Sequence, residues 1–87
     1  MKKEEVFNII INNICNVIPA LKKHTFQPGD ILKDLGANSL DRTEIIEMTM
    51  ESLSLEIPRV EIYGAKNIQE LVDIFYHHMN KKTGDTQ

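Results

Sequence analysis

Apolar residues recur at intervals of three and four in three separate stretches of this chain, and proline interrupts the pattern between them. The first stretch runs from Lys3 to Ile18 and ends at Pro19, and the last begins near Asn67. Such spacing places the apolar residues on one side of a helix, where they can be buried together. Alternation of polar and apolar residues is confined to short runs such as residues 53–57, so the sequence predicts an all-α fold without strands.

The middle stretch predicts a helix from Ser39 to Leu53 that is followed by a short helical turn. On the long helix the inward positions are expected to be Ile46, Met50 and Leu53, with Ile57 continuing the buried line beyond it. Pro58 marks a break, and the residues 59–63 that follow it fit one turn of helix that ends at Gly64. Three long helices and one short helix predict a four-helix bundle.

The connection between the first two helices is long for a compact domain. It spans residues 19–38 and contains Pro28, Gly29 and Gly36, which favour turns. We expect it to be held on the core by its apolar residues, namely Phe26, Ile31, Leu32 and Leu35. A short turn of helix is predicted over residues 31–35.

The length of 87 residues suits one small domain, assigned to residues 1–80, with a flexible tail at residues 81–87. So short a chain leaves little material for a large catalytic pocket, so the protein is not expected to be an enzyme. No apolar run approaches the roughly 20 residues that cross a bilayer, and no signal-peptide pattern begins the chain. These features predict a cytoplasmic protein that does not enter membranes.

The net charge of −3 is unevenly distributed. From Asn38 to Ile62 there are six acidic and two basic side chains, a net charge of −4, which leaves +1 for the remainder. An acidic helix of this kind favours basic protein partners and argues against nucleic acid.

Ser39 is the residue to which the sequence draws attention. A serine at a helix start usually caps the helix, but Asn38 can do so here, and an apolar residue, Leu40, follows directly. A self-contained serine hydrolase is not supported, because no G-x-S-x-G elbow is present and the histidines lie far along the chain. No metal site is expected either, since adjacent His77 and His78 diverge on a helix.

The chain resembles the acyl carrier proteins in three features: the segment Leu-Gly-Ala-Asn-Ser-Leu at residues 35–40, the acidic second helix, and Ile57-Pro58. The family pattern is Gly-x-Asp-Ser-Leu, and its serine carries 4′-phosphopantetheine through a phosphodiester. The resemblance therefore implies that Ser39 is the attachment residue and that a phosphopantetheinyl transferase modifies it. Asn38 stands where most members of the family have Asp. The change to Asn keeps the capping oxygen and removes one negative charge.

Further segments resemble the stand-alone donor carriers of polyketide β-branching cassettes. They are Gly-Ala-Asn-Ser-x-Asp-Arg at 36–42, Thr-Met at 49–50 and Gly-Ala-Lys-Asn-Ile at 64–68. This likeness implies that an acyltransferase loads malonyl, that a decarboxylating ketosynthase homologue converts it to acetyl, and that an HMG-CoA-synthase-like enzyme takes the acetyl group. Partner recognition is then expected at Asn38, Leu40, Asp41, Arg42, Glu44, Glu47 and Met48. The carrier is expected to be a monomer.

Two other interpretations remain open at this stage. One is a generic fatty-acid or polyketide extension carrier, against which the departures at Asn38 and at Asp41-Arg42 argue. The other is a small helical adaptor that binds partners without being modified. A two-carbon cargo would bury little apolar area, so the helical core is expected to stay closed around its own side chains.

Overall fold

A computed structural model describes residues 1–84 of the chain. Its elements in order are α1 (Lys3–Val17), a 3₁₀ helix (Pro19–Lys23), α2 (Ser39–Leu53), α3 (Arg59–Tyr63) and α4 (Ile68–Gly84). No strand occurs within these residues, and the all-α prediction with three long helices and one short helix is confirmed. Within the same part of the chain, no helix is both long enough and apolar enough to span a bilayer.

The bounds of α2 and α3 match the sequence prediction, whereas the long first connection differs from it. A short 3₁₀ helix begins at Pro19. Proline is tolerated in a first helical turn, because the N–H that it lacks would have no partner inside the helix. Around residues 31–35 the chain forms successive hydrogen-bonded turns, which include one helical i→i+4 turn as predicted but no continuous helix. The amide of Leu35 donates to the Ile31 carbonyl over 3.1 Å, and that of Ala37 donates to the Leu32 carbonyl over 3.1 Å.

The core lies between α1, α2 and α4, and α1 packs against both of the other long helices. Its most buried apolar residues are Val6, Ile10, Ile14, Ile45, Ile62, Ile68, Val72 and Phe75. Ile46 and Ile57 are buried as predicted, but Met50 and Leu53 are only half-buried at the edge of the core. The side of α2 that faces α1 instead carries Ile45 and Thr49, which the spacing analysis did not select.

A buried polar pair joins α1 to α2. The Asn13 side-chain amide donates to the Thr49 hydroxyl over 3.0 Å, and that hydroxyl donates to the Ile45 carbonyl over 2.8 Å. Both residues are almost fully excluded from solvent. Among the described residues, no buried side-chain nitrogen or oxygen lacks a hydrogen-bond partner. The pair therefore fixes the register of the two helices, because a slip would leave polar atoms unsatisfied.

Backbone carbonyls of the first connection cap the start of α4. The amide of Ile68 donates to the Asp30 carbonyl over 2.9 Å, and that of Gln69 donates to the Pro28 carbonyl over 2.8 Å. These bonds satisfy amides that have no partner inside the helix. The connection is thus held by its backbone as well as by two buried apolar residues, Leu32 and Ala37.

Side chains complete this junction between the loop and α4. The side-chain Oδ1 of Asn67 accepts from the backbone amide of Glu70 over 2.9 Å and so caps α4, which begins where its apolar spacing predicts. Within the loop, the Asp30 carboxylate accepts from the Gln27 amide and lies 2.9 Å from the His24 ring nitrogen. The Gln27 amide, and to a smaller extent His24, hold the pKa of Asp30 below its usual value. The loop is therefore ordered by local polar contacts where its apolar residues are few.

The segment assigned to a flexible tail is only partly described. Helix α4 continues to Gly84, and residues 85–87 lie outside the described residues. The division of the chain at residue 80 stays a prediction.

Replacing Thr49 by valine should destabilise the fold, because the Asn13 amide then has no acceptor although the side-chain shape is kept. We expect a loss of about 1–3 kcal/mol in the free energy of unfolding, measured by urea denaturation with far-ultraviolet circular dichroism. Ser52→Ala is the matched control, since its hydroxyl also bonds a carbonyl of α2 but is exposed. Equal losses in the two variants would show that the buried pair has no special role.

Candidate functional site

The start of α2 is set by three consecutive residues with different roles. Gly36 has a φ of 96°, a conformation that side chains with a Cβ rarely adopt, and it turns the chain toward α2. Ala37 is buried, and Asn38 caps the helix. The Asn38 oxygen accepts from the Asp41 amide over 2.8 Å, and the Asn38 amide donates to the Asp41 carboxylate over 3.3 Å. The predicted cap is confirmed, and it occupies Asp41 as well.

Ser39 is the first residue of α2 and is exposed. Because Asn38 caps the helix, the Ser39 hydroxyl is not needed for capping. The side chain of Arg42 folds back over it: one guanidinium nitrogen donates to the Ala37 carbonyl over 2.7 Å, and another donates to the Ser39 hydroxyl oxygen over 3.4 Å. Leu40 is 80% exposed beside Ser39. The site therefore presents a hydroxyl between a fixed cation and an apolar side chain.

A cleft of about 480 Å³ opens beside Ser39, between α2, α3 and the turns at residues 31–33. Its apolar lining includes Ile46, Ile62 and Leu71. Three cationic residues, Lys33, Arg42 and Lys66, also line it, and none of the described lining residues is acidic. A cleft of this composition accepts an apolar chain or an anion more readily than a cation. The prediction that the core stays closed around a two-carbon cargo concerns a loaded form and stays a prediction.

The four remaining residues predicted for partner recognition occupy different environments. The Asp41 carboxylate belongs to the cap. Glu47 forms an ion pair with Arg59 of α3, so its charge is offset within the molecule. Glu44 is exposed, and no ion pair to it occurs among the described side chains. Met48 is half-buried. Glu44 is therefore the acid of this set most available to a partner, although a recognition role for any of the set stays a prediction.

Helix α3 contributes exposed residues that the sequence analysis did not select. Val60 is 79% exposed and Tyr63 is 62% exposed, while Ile62 between them is buried. In a five-residue helix with one inward residue, positions 60 and 63 share the outward side. That pattern could have been read from the sequence once Arg59–Tyr63 was taken as helical.

Polar contacts hold α3 to its neighbours. Hydrogen bonding to Glu47 raises the pKa of Arg59, and hydrogen bonding to Arg59, then Thr43, lowers the pKa of Tyr63. On the other side Glu61 lies 2.9 Å from the ring nitrogen of His78 in α4. The short helix that borders the cleft is thus attached by one ion pair, between Arg59 and Glu47, and by the Glu61–His78 contact, around one buried side chain.

No hydrolytic constellation surrounds Ser39. His24 pairs with Asp30 and His78 pairs with Glu61, each away from the serine. The residue that contacts the Ser39 hydroxyl, Arg42, has no proton-accepting capacity. Within the described chain, no group of three His, Cys, Asp or Glu side chains could hold a metal ion. The Ser39 hydroxyl is therefore exposed, and the side chain beside it, Arg42, cannot act as a general base.

These features define a class of protein: a small helical domain with an exposed serine at the start of its second long helix. Residues 9–75 match the family model for the phosphopantetheine attachment site. The match covers more than half of the chain, so the chain belongs to this family, the acyl carrier proteins, whose members carry covalently attached phosphopantetheine. Proteins of this family generally act as carriers and not as catalysts.

Two acyl carrier proteins and one solved structure indicate which members of the family this chain resembles. The chain is 53% identical to the polyketide biosynthesis acyl-carrier-protein AcpK of Bacillus subtilis, over 87% of this chain and 93% of that protein. It is 29% identical to an acyl carrier protein of Guillardia theta, over 84% and 90% of the two chains. In structure it is similar to a chain in the crystal structure of the curacin biosynthetic pathway HMG synthase in complex with acetyl donor-ACP. That similarity has a TM-score of 0.81 and 51% identity, and it covers 86% of this chain and 96% of the other.

Asn38→Ala should destabilise the domain by about 1 kcal/mol, because the first amides of α2 lose their side-chain acceptor. Ser39→Ala is the matched neighbour and should leave the free energy of unfolding almost unchanged, since its hydroxyl makes no cap bond. Chemical denaturation of both unmodified variants measures the difference. A loss at Ser39 as large as that at Asn38 would mean that the serine hydroxyl supports the helix start.

Proposed function

We propose that this chain is a carrier of polyketide biosynthesis whose phosphopantetheine arm, attached at Ser39, delivers an acetyl group to an HMG-CoA-synthase-like enzyme. The assignment of Ser39 rests on one observation, which is that a different residue caps α2. Asn38 supplies the cap, so the Ser39 hydroxyl is exposed and available for a phosphodiester.

The donor role rests on two similarities that agree with each other. AcpK, at 53% identity, is a polyketide biosynthesis carrier, and the structurally similar chain at 51% identity is in a complex with an HMG synthase. Each comparison spans more than four-fifths of this chain and more than nine-tenths of the other. Two of the three segments that resemble donor carriers lie at the site, from Gly36 to Arg42, and along the cleft at Ala65, Lys66 and Asn67, whereas Thr49 of the third is buried against α1.

The chemistry required of such a carrier is presentation. The thiol at the end of the arm forms a thioester, which acidifies the hydrogens next to the carbonyl and provides a good leaving group. The partner enzyme supplies the acid, base and nucleophile, and the carrier supplies orientation and a high local concentration. A site with no general base against Ser39 suits this role.

The surface around Ser39 offers two means of recognition. Leu40, next to Ser39, is an exposed apolar residue that can bury a small contact area, and Val60 is a second exposed apolar residue on α3, which borders the cleft. Glu44 and the other acids of α2 favour partners with basic docking surfaces, which they would attract before contact. Four partners are proposed: a phosphopantetheinyl transferase, an acyltransferase, a decarboxylating ketosynthase homologue and the HMG-CoA-synthase-like enzyme.

The test of this function has two stages. Incubation with coenzyme A and a broad-specificity phosphopantetheinyl transferase should add one arm to the wild-type protein and to Ser52→Ala, but none to Ser39→Ala, as measured by intact mass. The acetyl form should then be turned over by an HMG-CoA-synthase-like enzyme at a higher kcat/KM than the acetyl form of an ordinary fatty-acid carrier.

The outcomes separate the competing functions. No mass gain in the wild-type protein would favour an unmodified adaptor, and a gain in Ser39→Ala would move the attachment residue elsewhere. Equal turnover of the two acetyl carriers would identify a generic extension carrier.

Neutralising Glu44 should impair recognition more than neutralising Glu47, although both changes remove one negative charge. Arg59 already offsets Glu47, whereas Glu44 has no such partner among the described side chains. We expect Glu44→Gln to lower the transferase kcat/KM about two- to fivefold at low salt and to weaken its salt dependence. The thermal midpoint of Glu44→Gln should stay within one or two degrees of wild type, since exposed charges contribute little stability. A larger kinetic loss in Glu47→Gln would show that the pair with Arg59 opens on docking.

A further inference from the structure

Arg42 is held in place by the chain itself. Its guanidinium donates to the Ala37 carbonyl over 2.7 Å, and Ala37 is buried. The same group reaches the Ser39 hydroxyl oxygen over 3.4 Å, a long contact for a hydrogen bond to a neutral acceptor. One half of the guanidinium is thus anchored, while the other half points at the attachment oxygen without making a strong bond there.

Attachment of the arm changes what this second half faces. A phosphodiester places one negative charge on oxygens next to the Ser39 oxygen. The carboxylates of Asp41 and Glu44 lie within the next two turns of α2, so the new charge adds to an acidic region. The start of the helix offsets part of that charge, and Asn38 and Asp41 already use part of its hydrogen-bonding capacity.

We propose that Arg42 is a positioning residue for the phosphodiester: it keeps its bond to Ala37 and turns its second bond from the serine oxygen to a phosphate oxygen. This inference rests on the proposed attachment at Ser39. Charge-assisted bonds from a guanidinium to phosphate are stronger than bonds to a hydroxyl, so the modification favours the exchange. Since Arg42 lines the cleft, the root of the arm is held on the cleft side of α2.

Arginine suits this role better than lysine would. Its planar fork serves two acceptors at once, the carbonyl on one side and the phosphate on the other. A lysine keeps the charge but presents it as a single point on a flexible stem. Lys33 and Lys66 line the same cleft and add positive potential, but in the described part of the chain neither side chain hydrogen-bonds to Ser39.

The first test uses the wild-type protein before and after loading with the arm. The side-chain nitrogen and proton resonances of Arg42 should shift on modification, and its guanidinium rotation should slow. The 31P resonance of the loaded protein should move in Arg42→Gln relative to wild type. Arg59→Gln is the control, because it removes one positive charge as Arg42→Gln does. Arg59 pairs with Glu47, and in the described part of the chain it does not hydrogen-bond to Ser39.

The second test is a thermodynamic cycle on stability. The unfolding equilibrium constant is measured for wild type, Arg42→Gln, Arg42→Lys and Arg59→Gln, each with and without the arm. Attachment of the arm should raise the unfolding equilibrium constant of Arg42→Gln about three- to tenfold more than it raises that of the wild-type protein. Arg42→Lys should fall between the two, and Arg59→Gln should match wild type.

Each outcome decides for or against the role. An unchanged 31P resonance in Arg42→Gln, or equal effects of loading in Arg42→Gln and wild type, would overturn it even though Ser39 is modified. Absence of any mass gain in the wild-type protein would instead contradict the proposed function. If Arg42→Gln unfolds without the arm, the wild-type Arg42 resonances still decide, because they must shift on loading.

Discussion

The reciprocal bonds between Asn38 and Asp41 govern the geometry of the site. They fix the first turn of α2 and satisfy amides that would otherwise require another acceptor. Ser39 is therefore held in a helical position by its neighbours, and its own hydroxyl takes no part in the cap. The same turn directs Leu40 into solvent and brings Arg42 back over the serine. The proposed attachment at Ser39 requires a hydroxyl that is both rigidly placed and exposed, and the assignment of the cap to Asn38 provides both.

The walls of the cleft depend on a second set of bonds, far away in sequence. Carbonyls of Pro28 and Asp30 cap α4, so the first connection cannot move away from the start of that helix. The turns at residues 31–33 continue from there and form one wall of the cleft. The opposite wall, α3, is attached through buried Ile62 and the ion pair between Arg59 and Glu47. One wall is fixed by backbone bonds and the other by exposed polar contacts, which are weaker.

The acidic character of the chain has a different meaning in the fold than in the sequence. Counting charges gives an acidic second helix, but the structure assigns Asp41 to the cap and Glu47 to an ion pair. Exposed carboxylates such as Glu44 are left to act at long range, on the same helix as the exposed apolar side chain of Leu40. Basic Lys33, Arg42 and Lys66 lie together along the cleft, on the side where an anionic arm would begin. The surface near Ser39 is therefore divided between acids and bases.

The sequence by itself determined the elements that depend on neighbours along the chain. Helical spacing, Pro58 and the caps at Asn38 and Asn67 are local, so α2, α3 and the start of α4 were predictable, and the motif at residues 36–40 drew attention to Ser39. Tertiary structure alone decided which side of α2 is buried, because that depends on where α1 lies, and it selected Ile45 and Thr49. It also decided the ion pair of Glu47 and the contact of Arg42 with Ser39, since both depend on where side chains fold. Local periodicity specifies which segments are helices, whereas burial and charge pairing are set by contacts between segments that meet only in the folded chain.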